Sequence, residues 1–128
     1  MNPSEFRLKT GLLGFSPQDL EHIFPELGGQ AADVLNGKAA VPDHPAQIVD
    51  TWWEEVTTAV ENTVEDARKS WAVAGEPVAL VRYGRHHLLP RGHGAQASSI
   101  QAWDYHLGLV IRHLEQDGIP FRIATIQD

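Results

Sequence analysis

Val49, Trp52, Trp53, Val56, Val60, Val64, Ala67 and Trp71 recur at mostly three- and four-residue intervals, the period of one face of an α-helix. Glu54, Glu55, Glu61, Glu65 and Asp66 fill much of the opposite surface, and Arg68 and Lys69 suit the negative end of the helix dipole. The helix is predicted to open at Asp43 to Pro45, close at Gly75 and span roughly 45 Å. That is longer than a small module needs, so part of the stripe is expected to meet a partner or the C-terminal region. Trp52 and Trp53 are adjacent and cannot face one way. One is expected to face the N-terminal module, and the other a neighbour or the C-terminal strands.

Before this helix, two helix starts share one grammar. Asn2-Pro3-Ser4-Glu5 and Ser16-Pro17-Gln18-Asp19 each place a capping residue, a proline at the first helical position and an acid at the third. Proline is harmless there because its missing N–H would have been unpaired, and the acid meets the positive end of the helix dipole. Helices are therefore predicted over about Pro3 to Leu13, stopped by Gly14, and Pro17 to Phe24. Pro25, Gly28 and Gly29 break the chain before a third helix, about Gly29 to Asn36, which Asn36-Gly37 ends. With Leu20, Ile23, Phe24, Leu27, Ala31, Val34 and Leu35 as inward positions, Ser16 to Pro42 has the spacing of a helix-turn-helix.

Past Gly75-Glu76-Pro77 the period changes. Val78 to Tyr83 reads as a short strand, Gly84 to Ala97 as a loop rich in Gly, His and Arg, and Ser98 to Gln116 as a helix with Ser98 and Gln101 as a capping box. Its inward face is expected to be Ile100, Trp103, Leu107, Val110, Ile111 and Leu114. Ile119, Phe121 and Ile123 alternate with Pro120, Arg122 and Ala124, the pattern of a half-buried strand. The two strands can pair with each other or with a second subunit. The fold expected is mainly α with a small α+β C-terminal part: a helix-turn-helix bundle and long fourth helix over residues 1–75, then strand, loop, helix and strand over 76–128.

A chain of 128 residues without cysteine has neither a disulfide framework nor a thiolate metal site. No apolar run approaches the ~20 residues that cross a bilayer, and Met1-Asn2-Pro3-Ser4-Glu5 lacks the marks of a signal peptide. A soluble, cytoplasmic protein with no membrane partner is expected. The net charge of −7 argues against clinging to nucleic acid over the whole surface. Residues 1–76 carry 13 acids against five Lys and Arg, whereas residues 77–103 hold no acid and contain Arg82, Arg85 and Arg91 beside His86, His87 and His93. A polyanion would meet Lys38 on one face and this loop on another.

The histidines lack the spacing of a zinc site: His86 and His87 point apart in an extended segment, and no strict His-x3-His pair supports them, His106 and His113 included. A P-loop, a Gly-x-Ser-x-Gly elbow and a His-Glu-x-x-His helix are all missing. Neither catalysis nor a metal or other cofactor is therefore expected.

With Asn36-Gly37-Lys38-Ala39-Ala40-Val41-Pro42-Asp43 following Leu20, the N-terminal half resembles the Cro/repressor-type (xenobiotic-response-element) helix-turn-helix regulators. Adding the long helix and the later Trp103-x-Tyr105, residues 4–115 are similar to the small YdiL-like regulators related to anti-CRISPR-associated repressors. The resemblance implies a dimeric repressor that reads an inverted repeat in double-stranded DNA, its N-terminal module on DNA and its C-terminal part pairing subunits. It places Gln30, Asn36 and Lys38 as contacts of the third helix, and Ser16 and Gln18 as phosphate contacts. Trp71, Trp103, Leu107, Val110, Phe121 and Ile123 are the expected interface of the homodimer. The chain departs from the family at Val34, where Trp is usual, at Leu35, where Glu is usual, and at Gly28, Gly29, Ala31, Ala32 and Asp33, where polar or basic side chains are usual. The alternative is an interaction module that kept the fold and lost the DNA surface.

Overall fold

The computed structural model describes Met1–Asp128, and its order is five α-helices with one strand on each side of the last. Helix α1 is Pro3–Leu12, α2 Pro17–Ile23, α3 Ala31–Leu35, α4 Asp43–Ala74 and α5 Ile100–Gln116. Strand β1 is Val78–Tyr83 and β2 Phe121–Ile126. The expected mainly helical fold with a small C-terminal α+β part is present.

The helix starts follow the local chemistry. Asn2 accepts the Glu5 N–H at the head of α1, while Ser16 and Asp19 exchange side-chain and backbone bonds in a complete capping box at the head of α2. Helix α5 begins differently from expectation. Ser99, not Ser98, caps it by accepting from Ala102 N–H, and Ser98 instead donates to the Ala95 carbonyl. Gln101 does not close a capping box; its amide donates to the Gly11 carbonyl at 2.5 Å. With Ser99 donating to Leu13 O at 2.8 Å, it locks the start of α5 onto the end of α1. Gly14 makes that approach possible: its φ is +83°, and a Cβ there would lie 2.6 Å from Ser99 Oγ.

Two apolar cores share α4. Phe6, Leu20, Phe24, Leu27, Ala31, Val34 and Val49 form the N-terminal one. The other has 12 buried residues, among them Leu13, Val56, Val60, Val64, Ala67, Leu107, Val110 and Leu114. Phe15 and Trp52 touch both and stack with centroids 5.0 Å apart. Ile23 was expected inside but is 38% exposed, because α2 turns it outward when Leu20 and Phe24 face α4. Leu35 is half-buried at the edge.

The length of α4 is accounted for within the chain. Its second half buries Val56, Val60, Val64 and Ala67 against the core that α5 completes, so no second subunit is needed to cover the stripe. Trp52 turns to the N-terminal core, and Trp53 stacks on Tyr105 of α5 at 5.6 Å rather than on the strands. Strands β1 and β2 pair with each other, in parallel, with Val78 opposite Phe121 and Tyr83 opposite Ile126. Parallel neighbours need a crossover, and the segment containing α5 supplies it. Arg82 on β1 clasps Asp104 on α5 through two parallel bonds of 3.1 and 3.0 Å.

Candidate functional site

Helix α3 lies on α1 and α2, burying Ala31 and Val34. Its other face is open: Gln30, Ala32, Asp33, Asn36 and Lys38 are all exposed. The sequence did not point to the residue that sets this geometry. Glu21, on α2, reaches across the turn and accepts the Gly29 and Ala31 N–H groups, each at 2.7 Å. The Ala31 N–H is a donor that the helix start leaves unpaired and Gly29 belongs to the turn before it, so a single carboxylate ties α2 to both the turn and the start of α3. Glu26 and His44 add a hydrogen bond of 2.5 Å between the connecting turn and α4. That bond holds the Glu26 carboxyl below its ordinary range.

Among the expected nucleic-acid contacts, Gln30 and Lys38 are free of side-chain hydrogen bonds and ion pairs. Asn36 accepts a long 3.4 Å bond from Arg7, which brings a second cation beside α3. Gln18 is exposed at the head of α2, whereas Ser16 is engaged as the cap of that helix. The bonds from Ser16 backbone and side chain hold Asp19 below its ordinary pKa, so the same helix start carries a negative charge.

The expected dimer contacts divide. Leu107 and Val110 are 5% and 0% exposed in the single chain, because α5 turns both onto α4. They are core residues and cannot form a subunit interface without unfolding. Trp103 is half-buried, its indole N–H donating to Val81 O at 2.8 Å and its ring meeting Tyr83 edge-on. Trp71 and Phe121 pack at the margin of the same core. Ile123 is 48% exposed on β2, with Ile126 at 40% beside it.

The basic loop is also less free than composition suggests. Arg82 is paired with Asp104, which leaves Arg85 and Arg91 as its exposed cations. His86, His87 and His93 are exposed, and no three His, Asp or Glu side chains converge on a point. His106 differs: it is buried 3.4 Å from Thr63 Oγ1, and loss of solvent pushes its pKa below 6.5, partly offset by the nearby Ala59 carbonyl.

No family model matches the chain, nor does any curated protein or solved structure.

Proposed function

We propose that the chain is a DNA-binding transcriptional regulator acting as a homodimer. The observation that carries this reading is the open outer face of α3, where Gln30, Asn36 and Lys38 stand exposed beside Arg7 on a helix held at a set angle to α2. Gln and Asn can exchange hydrogen bonds with base edges, and Lys and Arg can neutralise phosphate. Self-association through β2 is the favoured way of pairing, because that strand lies at the edge of a two-stranded sheet with Ile123 and Ile126 uncovered.

With two cations per protomer near α3, the affinity should depend weakly on salt, since each neutralised phosphate contributes a slope of about −0.9 in log affinity against log salt. Fluorescence anisotropy with random DNA and with the promoter of the protein's own transcription unit, across a salt series, tests this. Lys38→Glu should weaken binding and leave the circular dichroism melt unchanged. Absence of binding even at low salt would overturn the reading.

One observation favours a second reading, an interaction module with the same fold. Glu21 already occupies the Gly29 and Ala31 N–H groups, Asp33 adds a carboxylate on the exposed face of α3, and Asp19 adds one at the head of α2. Binding of a basic peptide, with none of DNA, would support it.

A further inference from the structure

A short chain of contacts joins the outer face of α3 to the basic loop ahead of α5. Arg7 and Gly11 are four residues apart on α1 and so share one side of that helix. Arg7 reaches Asn36 at the end of α3, at 3.4 Å, and the Gly11 carbonyl accepts from Gln101 at the head of α5. A depression of about 250 Å³ there has Arg7, Gly11 and Asn36 in its wall. His86 Nε2 in turn lies 3.3 Å from the Ser98 carbonyl, just ahead of α5. Lys38 and the loop therefore do not stand on separate faces, as the charge pattern alone suggested. The end of α3, the side of α1 and the loop follow one another along the surface.

The loop borders two hollows of opposite character. In one, His93 and Gly94 share the wall with Glu54 and Glu55 of α4. The other, of about 370 Å³, is walled by His86, His87 and Arg91 among others, and none of its residues is acidic. Arg85 and Arg91 are exposed and take part in no ion pair. Residues 77–103 hold no acid that could neutralise them locally. Free guanidinium groups around an acid-free hollow suit phosphate, which the planar fork of arginine binds through two parallel bonds. A bilayer fits less well. Leu89 is 6% exposed and Leu88 half-buried, so the loop has no bare apolar side chain to insert.

We propose that the loop is a second DNA contact, in which Arg85 and Arg91 bind backbone phosphates of the duplex that meets α3. The inference takes DNA as the partner from the reading of α3 and extends the bound surface past α1. Phosphate contacts fix position without reading sequence. The face of α3 therefore carries the discrimination between sequences, and the loop carries affinity. Added to Arg7 and Lys38, the two arginines about double the salt slope that α3 alone would give.

Fluorescence anisotropy of the full chain with random DNA and with its own promoter, across a salt series, tests the loop through paired variants. Arg85→Ala with Arg91→Ala should make the slope of log affinity against log salt shallower by about 1.8, at about 0.9 per phosphate. It should weaken both DNAs alike, about fivefold or more, with an unchanged melting curve because both side chains are exposed. Arg85→Lys with Arg91→Lys keeps the charge and should keep the slope. Binding unchanged by the alanine pair, with Lys38→Glu still weakening it, would overturn the loop contact and leave the α3 reading standing. A slope that falls with the alanine pair and not with Lys38→Glu would support the loop and tell against α3. Absence of DNA binding by the parent chain at low salt would overturn both. Cosedimentation with phosphatidylserine vesicles that the alanine pair abolishes, while DNA binding keeps its slope, would make the loop a membrane contact and overturn the proposal.

Discussion

The α2–α3 turn and the wall between α4 and α5 handle polar groups in opposite ways. At the turn the Gly29, Gln30 and Ala31 N–H groups that lead into α3 all have acceptors, and Glu21 supplies two of those bonds. On the α4–α5 wall, Gln96 Oε1 and His106 Nδ1 are buried with nothing to pair with. A region that satisfies its own polar groups is finished as architecture, and any function it has lies on its outward face. The α4–α5 wall instead keeps two buried polar atoms without a hydrogen-bond partner in the chain, at a cost in free energy that the turn avoids.

Four measurements can break or sharpen this contrast. The largest effects belong to the cores that support the two regions: Phe6→Ala should cost about 3–5 kcal/mol and Leu114→Ala about 2–5 kcal/mol, since each removes a fully buried side chain. Because α4 serves both cores, each variant should shift one shared transition in urea followed by circular dichroism and tryptophan fluorescence. Two separate transitions would show that the regions fold apart.

Next, Glu21→Ala should lose about 1–3 kcal/mol, the range for buried or charged hydrogen-bond partners removed one-sidedly. Amide exchange at Gly29 and Ala31 should quicken more than exchange at Leu114. Uniform quickening would mean that Glu21 acts on the whole fold and not on the turn.

Ser16→Ala should cost about 1 kcal/mol through loss of the cap. It should also let the Asp19 carboxyl return only part of the way towards its ordinary pKa, because alanine keeps the backbone N–H that lowers it most and loses only the hydroxyl. An NMR titration of Asp19 reads this directly, and an unmoved titration would remove the Ser16 hydroxyl from the account of that charge.

The smallest effect is the pH dependence of the wall. His106 is held below its ordinary pKa of 6.5 by burial, so as pH falls the unfolded chain takes up a proton before the folded one. The stability from burying the neutral ring is complete above about pH 6.5 and is lost as pH drops through the lower folded value. Replacing His106 with Phe should flatten the fall of stability that sets in below about pH 6.5. A pH profile identical to that of the parent protein would show that the ring does not titrate with folding.

Much of the fold was legible in the residues because it rests on local rules. Asn2-Pro3 and Ser16-Pro17 announced two helix starts, and the apolar stripe from Val49 to Trp71 announced α4. Where a choice depended on contact across the chain, the reading failed or stayed open. Ser98 and Ser99 are equally good caps on paper, and packing against Leu13 selects Ser99. Leu107 and Val110 fit an interface as well as a core, until α4 covers them.

The candidate sites divide along the same line. The exposed Gln30, Asn36 and Lys38 were visible because a surface position needs only its helix to be placed. Glu21 was missed because the N–H groups it accepts lie eight and ten residues away, across a turn whose shape no pattern of residues states. The loop with Arg85 and Arg91 was read as a separate face because Gln101 meets Gly11, and so joins that loop to α1, only when α5 folds back onto α1.

What the sequence determined by itself was the kind and order of elements, since capping, proline placement and apolar period act within a few residues of their cause. Only the tertiary structure decided that β1 and β2 pair in one chain, that α5 rather than a partner covers α4, and that two polar atoms are shut in without a bond. Burial and hydrogen-bond closure are properties of groups meeting from distant parts of the chain, and no residue carries them alone.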